Sequence, residues 1–434
     1  MNMFNHYVRY GLLASLSAVV VSCGSVNDAG NLGGTITGLT ASGLVLANGS
    51  DSVSPSVNAS TFTFPTRVAS GAAYSVSVQT QPTNLICSVT NGSGVMGSDA
   101  VKNVTVTCAG SSVSALAGSG ANGFANGTGQ AASFNAPGGI AVDAQGNVFV
   151  ADRGNNVVRK ITPAGAVTTL AGSGAIGAVN GTGNLASFNN PAAVAVSNLG
   201  NVFVADSRNN LIRMITPAGV VTTFAGSGSI GAANGAGAAA SFSNPSGIAV
   251  DNAGNVYVAD TGNALVRAIT PAGVVSTLAG SGAAGFADGA SAAASFDNPT
   301  GVAVDTAGNV LVADKANNRI RRITPAGVVS TLAGSGAAGS VNDTGIAASF
   351  NNPAGVAVSS AGNVFVADSV NNLIRRITPA GVVNTLAGTG GAGAVNGRIA
   401  VASFNDPGAV AADSAGNVYV ADTGNSLVRL IASQ

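Results

Sequence analysis

The sequence repeats itself every 54 residues, six times over, between residues 111 and 434. An aspartate, a phenylalanine, a proline and an arginine each return at that interval. A unit of this size that recurs without interruption is typical of architectures in which each unit buries its apolar face against the next. The chain is therefore constrained to an array or a ring of six similar units. The repeated aspartates are Asp152, Asp206, Asp260, Asp314, Asp368 and Asp422, and the repeated arginines are Arg159, Arg213, Arg267, Arg321, Arg375 and Arg429.

Each repeat predicts four short strands. In the first repeat they cover 139–142, 147–151, 157–161 and 167–171, and Gly, Asn, Asp and Pro residues form the turns between them. Four strands per repeat, packed radially, make a blade of a β-propeller. The sixth repeat stops after its third strand, and Val113–Ala117 can supply the missing fourth. We therefore predict an all-β, six-bladed propeller over 111–434, closed by its N-terminal strand.

Four motifs in these repeats resemble NHL repeats. They read Pro-x-Gly-Ile-Ala-Val-Asp, Gly-Asn-Val-Phe-Val-Ala-Asp, Asn-x-Val/Ile-Arg-x-Ile and Gly-Val-Val-x-Thr-Leu-Ala-Gly. The resemblance covers essentially all of 111–434 and implies a propeller of the NHL type. It implies no single activity, because propellers host many functions.

The first 22 residues predict a targeting segment. Arg9 ends a short charged region, and 11–21 is an apolar stretch too short to span a bilayer. Val20-Val21-Ser22-Cys23 resembles the lipobox of bacterial lipoproteins, which implies that Cys23 is lipidated and anchors the chain to a membrane. Gly24 is similar to the outer-membrane sorting pattern of such families. We expect an outer-membrane or cell-surface lipoprotein; the alternative is an ordinary secretory signal and a periplasmic or secreted protein.

Residues 31–110, after a linker at 23–30, predict a small β-sandwich. Short alternating strands are separated by clusters of Gly, Asn, Ser and Pro. The stretch loosely resembles the immunoglobulin-like domains that precede propellers in some bacterial surface proteins. If Cys23 carries a lipid, Cys87 and Cys108 remain as a pair in an oxidising compartment. We therefore predict a disulfide between them.

The repeated side chains predict structure more than chemistry. A group present in every blade serves each blade, so we interpret each aspartate and arginine as a blade-internal ion pair or turn cap. Each repeat also contains Gly-x-Gly-x-x-Gly, beginning with Gly118, Gly120 and Gly123. No helical pattern follows these glycines to receive a phosphate, so we interpret them as an inter-blade loop and predict no nucleotide cofactor.

Single sites should appear where the repeats differ. One rim of the ring is expected to hold the long glycine-rich loops together with Arg153, Arg208 and Lys315, which are candidate ligand-binding residues. Blades four and five concentrate cationic charge, and Arg319, Arg322 and Arg376 form a candidate basic patch for an anionic ligand. The alternative interpretation of that patch is an ordinary solvated face.

Composition excludes several functions. Only 8% of residues are charged, and 17 Lys and Arg balance 17 Asp, so there is no basic surface for nucleic acid. The chain has no Glu, and its single histidine is His6, ahead of the predicted cleavage site. A Ser-His-Asp or Cys-His arrangement is therefore impossible in the mature chain. The metal sites of propeller lyases and gluconolactonases, which depend on His or Glu in the enzymes this group resembles, have no equivalent here. A calcium site built from Asp, Asn and carbonyl oxygens stays chemically open, although no loop has an Asp-x-Asp pattern.

We expect a monomeric binding or scaffold module for a protein, peptide or glycan, without catalytic residues, metal or cofactor. Two alternatives stay open. One is a propeller-type lyase or hydrolase that uses Asp and a bound metal. The other is a structural surface protein with no specific ligand, since near-identical blades leave little asymmetry for recognition.

Overall fold

The computed structural model describes residues 29–82 and 85–432. The chain forms two compact units that divide between Ala109 and Gly110. The predicted signal peptide, Cys23 and most of the predicted linker lie outside the described residues. Within the described ranges, no helix is long and apolar enough to cross a membrane.

The first unit contains two four-stranded sheets that share one apolar core, which includes Leu32, Leu46, Tyr74 and Val106. Short alternating segments produce this arrangement, because every second side chain points inward. One two-stranded ribbon joins Ala29–Gly30 to Val68–Ala69. The first sheet has the order Thr61–Thr63, Leu32–Thr37, Val101–Ala109, Ile86–Thr90, and the second Asp51–Val53, Val45–Asn48, Ala73–Thr80, Ser93–Val95.

The predicted disulfide is confirmed. Cys87 and Cys108 lie directly opposite each other on the antiparallel strands Ile86–Thr90 and Val101–Ala109. Their sulfur atoms are bonded, and both residues are buried in the core of the first unit. The bond therefore links two neighbouring strands of one sheet.

The second unit consists of six antiparallel sheets with four long strands each. Along the chain, blades one to three comprise Pro137–Val142, Val148–Asp152, Val157–Ile161, Ala166–Ala171; Pro191–Val196, Val202–Asp206, Leu211–Ile215, Val220–Ala225; and Pro245–Val250, Val256–Asp260, Leu265–Ile269, Val274–Ala279. Blades four to six comprise Pro299–Val304, Val310–Asp314, Arg319–Ile323, Val328–Ala333; Pro353–Val358, Val364–Asp368, Leu373–Ile377, Val383–Ala387; and Pro407–Ala412, Val418–Asp422, Leu427–Ala432, Ser112–Ala117.

The ring closes in the predicted way. The strand Ser112–Ala117 pairs with Leu427–Ala432, and Val113 lies opposite Ile431. The first strand of each blade contacts the first strands of both neighbouring blades, including that of blade six with blade one. The six-bladed propeller predicted from the repeat is therefore confirmed, as is its closure by the N-terminal strand.

The apolar core of the ring lies between blades. Six buried clusters each combine side chains from two neighbouring blades, as Phe134 and Val148 of blade one do with Tyr419 and Val428 of blade six. The continuous apolar run of each second strand serves this packing, since such a strand is covered on both faces. In blade one all five residues of Val148–Asp152 are buried.

Two features of the blades were not predicted, namely short edge strands and 3₁₀ helices. Five blades carry a fifth, two-residue strand on the outer edge, formed by the long loop that precedes the blade: Gly127–Thr128, Gly181–Thr182, Gly235–Ala236, Gly289–Ala290 and Gly397–Arg398. The segment after each repeated aspartate is a tight turn, and five of these turns are 3₁₀ helices: Arg153–Asn155, Ser207–Asn209, Thr261–Asn263, Lys315–Asn317 and Thr423–Asn425. Five further 3₁₀ helices lie in the long loops: Gly129–Ala131, Gly183–Leu185, Gly237–Ala239, Ser291–Ala293 and Gly345–Ala347.

Val113→Asp is expected to lower the free energy of unfolding by about 4 kcal/mol, because it places an unpaired charge in the core that closes the ring. Val113 is 1% exposed. Ser114→Asp adds the same charge at an exposed position of the same strand and should have little effect. Denaturant unfolding of both variants checks this, and equal stabilities would contradict closure by this strand.

Candidate functional site

The repeated aspartate and arginine of each blade form a buried ion pair. The distance from an arginine Nη1 to the aspartate Oδ2 is 2.7 to 2.9 Å in all six blades. Both side chains are 0% exposed in every pair. The aspartate ends the second strand, and the arginine lies on the third strand of the same sheet, so the pair spans one hairpin.

Each carboxylate has further donors. In blade one the Asn155 amide donates to Oδ2 of Asp152 at 2.9 Å, and the backbone N–H of Asn135 donates to Oδ1 at 2.9 Å. Burial raises the pKa of Asp152 above its usual value, although Asn155, Asn135 and Arg159 each act to lower it. Both oxygens are engaged and shielded from water. The six carboxylates are therefore not available as a catalytic base or as metal ligands.

Each arginine also holds a long loop against its blade. Arg159 donates to the carbonyls of Ser133 and Ala125 and to the side chain of Asn126, at 2.8 to 3.1 Å. Its guanidinium lies over the buried ring of Phe134, 5.2 Å from the centroid. The same contacts recur in the other blades, so the ion pair ties the glycine-rich loop to the sheet that follows it.

Blade four differs at one of these contacts. Asp288 stands where the other blades have Asn, and it accepts from both Nε and Nη2 of Arg321. In the part of the chain that the structure describes, the corresponding Nε has no hydrogen-bond partner in Arg159, Arg213, Arg267, Arg375 and Arg429. Arg321 is thus the one member of the set that binds two carboxylates.

The mouth of the central channel is a second candidate site. A cavity of about 190 Å³ lies there, lined by the start of all six first strands and by the turns after the repeated aspartates of blades one, four, five and six. Arg153 and Lys315, from the turns of blades one and four, both line it, and Asp406 is an acid in the same lining. Within the described residues, neither cation has an ion pair or a side-chain hydrogen bond.

Hydroxyl groups stand at the same turn position in the other four blades. Three of them donate to the proline carbonyl that begins the next blade: Thr261 to Pro299, Ser369 to Pro407 and Thr423 to Pro137, at 2.6 to 2.7 Å. The fourth, Ser207, contacts Oδ1 of Asn244 in the next blade at 2.6 Å. The cations of blades one and four therefore replace groups that otherwise link neighbouring blades.

The remaining candidate cations lie apart from the channel mouth. Arg208 is exposed, one residue beyond the turn position that Arg153 and Lys315 occupy, and it does not line the cavity. Arg319 lies over the ring of Phe286, 3.7 Å from the centroid, and donates to the carbonyls of Asn317 and Ser335. Arg322 is exposed and points to the face of the strand opposite to that of Arg319, because successive side chains of a strand alternate between its two faces. Arg376, on blade five, is half-buried.

The described residues contain no group of three or more His, Cys, Asp or Glu side chains that could hold a metal ion.

The hydroxyl contacts between blades were not predicted, although the sequence contains a signal for them. The six residues at this position read Arg, Ser, Thr, Lys, Ser, Thr along the chain, in Arg153, Ser207, Thr261, Lys315, Ser369 and Thr423.

Arg213→Met is expected to lower the free energy of unfolding by about 3–5 kcal/mol, because it leaves the Asp206 carboxylate buried without its counter-charge. Arg208→Met removes a cation from an exposed position nearby and should change stability little. Denaturant unfolding of the two variants measures the difference. A small effect of Arg213→Met would mean that the long loop is held mainly by its other contacts.

No curated protein matches this sequence significantly. Solved structures do match it, at low identity. A protein of unknown function from Bacteroides thetaiotaomicron is 17% identical with a TM-score of 0.60, over 89% of this chain and 90% of that one. An auxiliary nutrient binding protein from the same organism is 13% identical with a TM-score of 0.57, over 90% of each chain. Another from Bacteroides ovatus is 16% identical with a TM-score of 0.57, over 90% and 91%. Identities this low show a shared fold alone.

The propeller matches a known family of repeats. The NHL repeat model matches six segments, 134–161, 188–213, 242–269, 296–323, 350–377 and 404–429. Each segment starts at the buried phenylalanine and contains the aspartate and arginine of the ion pair. The second unit of this chain is therefore built from six NHL repeats, one to each blade.

Proposed function

We propose that this protein is an exported bacterial binding module, and that its propeller binds a peptide, protein or glycan at the channel mouth. The observation that carries the proposal is a concave site lined by two cations, Arg153 and Lys315, that have no partner among the described residues. Ligand sites are typically concave and contain a few polar groups that fix orientation. The charged groups that are repeated in every blade, by contrast, are all used within the blades.

The names of two proteins with a similar fold support a binding role. Both are described as auxiliary nutrient binding proteins. The scarcity of catalytic side chains supports the same choice over an enzyme, since the described residues offer no metal cluster and their repeated carboxylates are shielded.

Binding can be tested with the full mature chain on arrays of defined glycans and peptides. We expect specific ligands whose signal falls at least tenfold in a variant that carries Arg153→Ala and Lys315→Ala. The matched control carries Arg67→Ala and Lys102→Ala, which removes two exposed cations from other places and should bind as the wild type does. Arrays without any specific ligand would favour a structural protein, and equal binding by both variants would contradict a site at the channel mouth.

We also propose that lipidation of Cys23 anchors the protein to the outer membrane or cell surface. The lipobox-like residues Val20 to Cys23 support it. Soluble domains can be held at a membrane in this way without a spanning helix.

Metabolic labelling with palmitate is expected to mark the wild type and not Cys23→Ala. Fractionation should then move the variant from the membrane to the soluble fraction, since its anchor is lost. Labelling that is absent from the wild type, or unchanged by the substitution, would leave only an ordinary secretory signal.

A further inference from the structure

The ring carries a second period, three blades long. At the turn position of the channel mouth the order is a cation, Ser and Thr, and it then repeats: Arg153, Ser207, Thr261, Lys315, Ser369 and Thr423. The turn after the first strand follows the same rule, with Asp, Ser and Asp in each half: Asp143, Ser197, Asp251, Asp305, Ser359 and Asp413. Tyrosine stands in the second strand of blades three and six alone, as Tyr257 and Tyr419. The ring is thus two similar halves.

Because of this three-blade period, the two cations at the channel mouth lie on blades that face each other across the ring. Residues three blades apart in a ring of six lie on opposite sides of its axis. Arg153 and Lys315 are such a pair, and both line the same cavity at the channel mouth. They therefore approach the mouth from opposite sides, each without a partner among the described residues.

The two cations are not required by the packing of the ring. At the same position the other blades place hydroxyl groups that contact the following blade, as Thr261 and Ser369 do. Arg153 and Lys315 make no such contact, so their blades give up a hydrogen bond to the next blade. A cation that makes no hydrogen bond to the next blade and has no counter-charge among the described residues is available to a ligand.

The size and lining of the cavity restrict that ligand. About 190 Å³ is below the roughly 300–1,000 Å³ of sites for drug-sized molecules, so a small molecule or one terminal group fits. The rest of the lining combines small residues, such as Gly139 and Ser246, with apolar residues, such as Ile140 and Val302. Asp406 contributes one negative charge, which leaves the mouth with a net positive charge.

We infer that the channel mouth binds a small dicarboxylate, free or as the end of a larger ligand, with one carboxylate at Arg153 and the other at Lys315. The inference rests on the proposed binding function and names the chemistry of its ligand. Two opposed cations favour two separated anionic groups over one compact anion, because each cation then has its own counter-charge. Guanidinium and ammonium groups both bind carboxylates by charge-assisted hydrogen bonds.

The test is calorimetric titration of the full mature chain at low ionic strength, with linear dicarboxylates from succinate to pimelate. Monocarboxylates and diols of the same lengths serve as comparison ligands. We expect one dicarboxylate length to bind at least tenfold more tightly than its monocarboxylate, and the diol not to bind. Low ionic strength matters because salt screens partly exposed charges.

Two substitutions suited to the fold sharpen the test. Arg153→Ser and Lys315→Ser introduce the residue that blades two and five already carry at this position, so the ring should fold and melt at or above the wild-type temperature. Each should weaken dicarboxylate binding at least tenfold, and the double variant should abolish it. Arg208→Ala, a cation outside the cavity, should change the affinity less than twofold.

The outcomes separate this inference from the broader proposal. It is overturned if dicarboxylates bind no better than monocarboxylates, or if the double serine variant binds them as the wild type does. In either case, glycan or peptide ligands found on the arrays would still support a binding module. Dicarboxylate binding with blank arrays would support the site and remove the macromolecular ligand.

Discussion

A guanidinium bonded to a carboxylate, entirely out of contact with water, is the interaction on which each blade of this propeller depends. The charges would be costly to bury alone, and they are tolerated because each has several partners. In blade one the Asp152 carboxylate accepts from three donors, and the Arg159 guanidinium donates to four oxygen atoms, that carboxylate included, and lies over an aromatic ring. Through this pair a long loop, rich in glycine and alanine, acquires a fixed place beside its sheet. The loop has little apolar surface of its own, so polar contacts to one arginine replace the packing that larger side chains would provide.

This use of charge explains the composition. Of the 17 aspartates and 17 basic residues, six of each are consumed in the buried pairs. Few charges remain for the surface. A cation that belongs to none of the buried pairs is therefore a stronger candidate for ligand binding than it would be in a highly charged protein. Arg153 and Lys315 are of this kind, whereas Arg319 is already occupied by Phe286 and two carbonyl groups.

Much of the ring could be predicted from the sequence because its period is strict. The third strand, Val157–Ile161, agrees with its predicted bounds, and the closing strand was visible in Val113–Ala117. The two-residue edge strand at Gly127–Thr128 could not be predicted, since two residues carry no alternation. The channel-mouth cavity escaped prediction for a different reason: it is formed by residues from all six blades, and only the closed ring brings them together. Arg208, which sequence reasoning grouped with Arg153 and Lys315, lies outside it by a single residue.

Closure by Ser112–Ala117 makes completion of the ring a late step in the synthesis of the chain. Among the strands of the ring, this one is synthesised first and its partner, Leu427–Ala432, last, so the sheet they share cannot form until nearly the whole propeller has been made. Until then blade six has no outer strand and blade one has no completed neighbour on that side. Long-range pairing of this kind is intrinsically slow. Assembly of the ring is thus a single late event, and a chain interrupted anywhere before that point keeps an unpaired strand at each end.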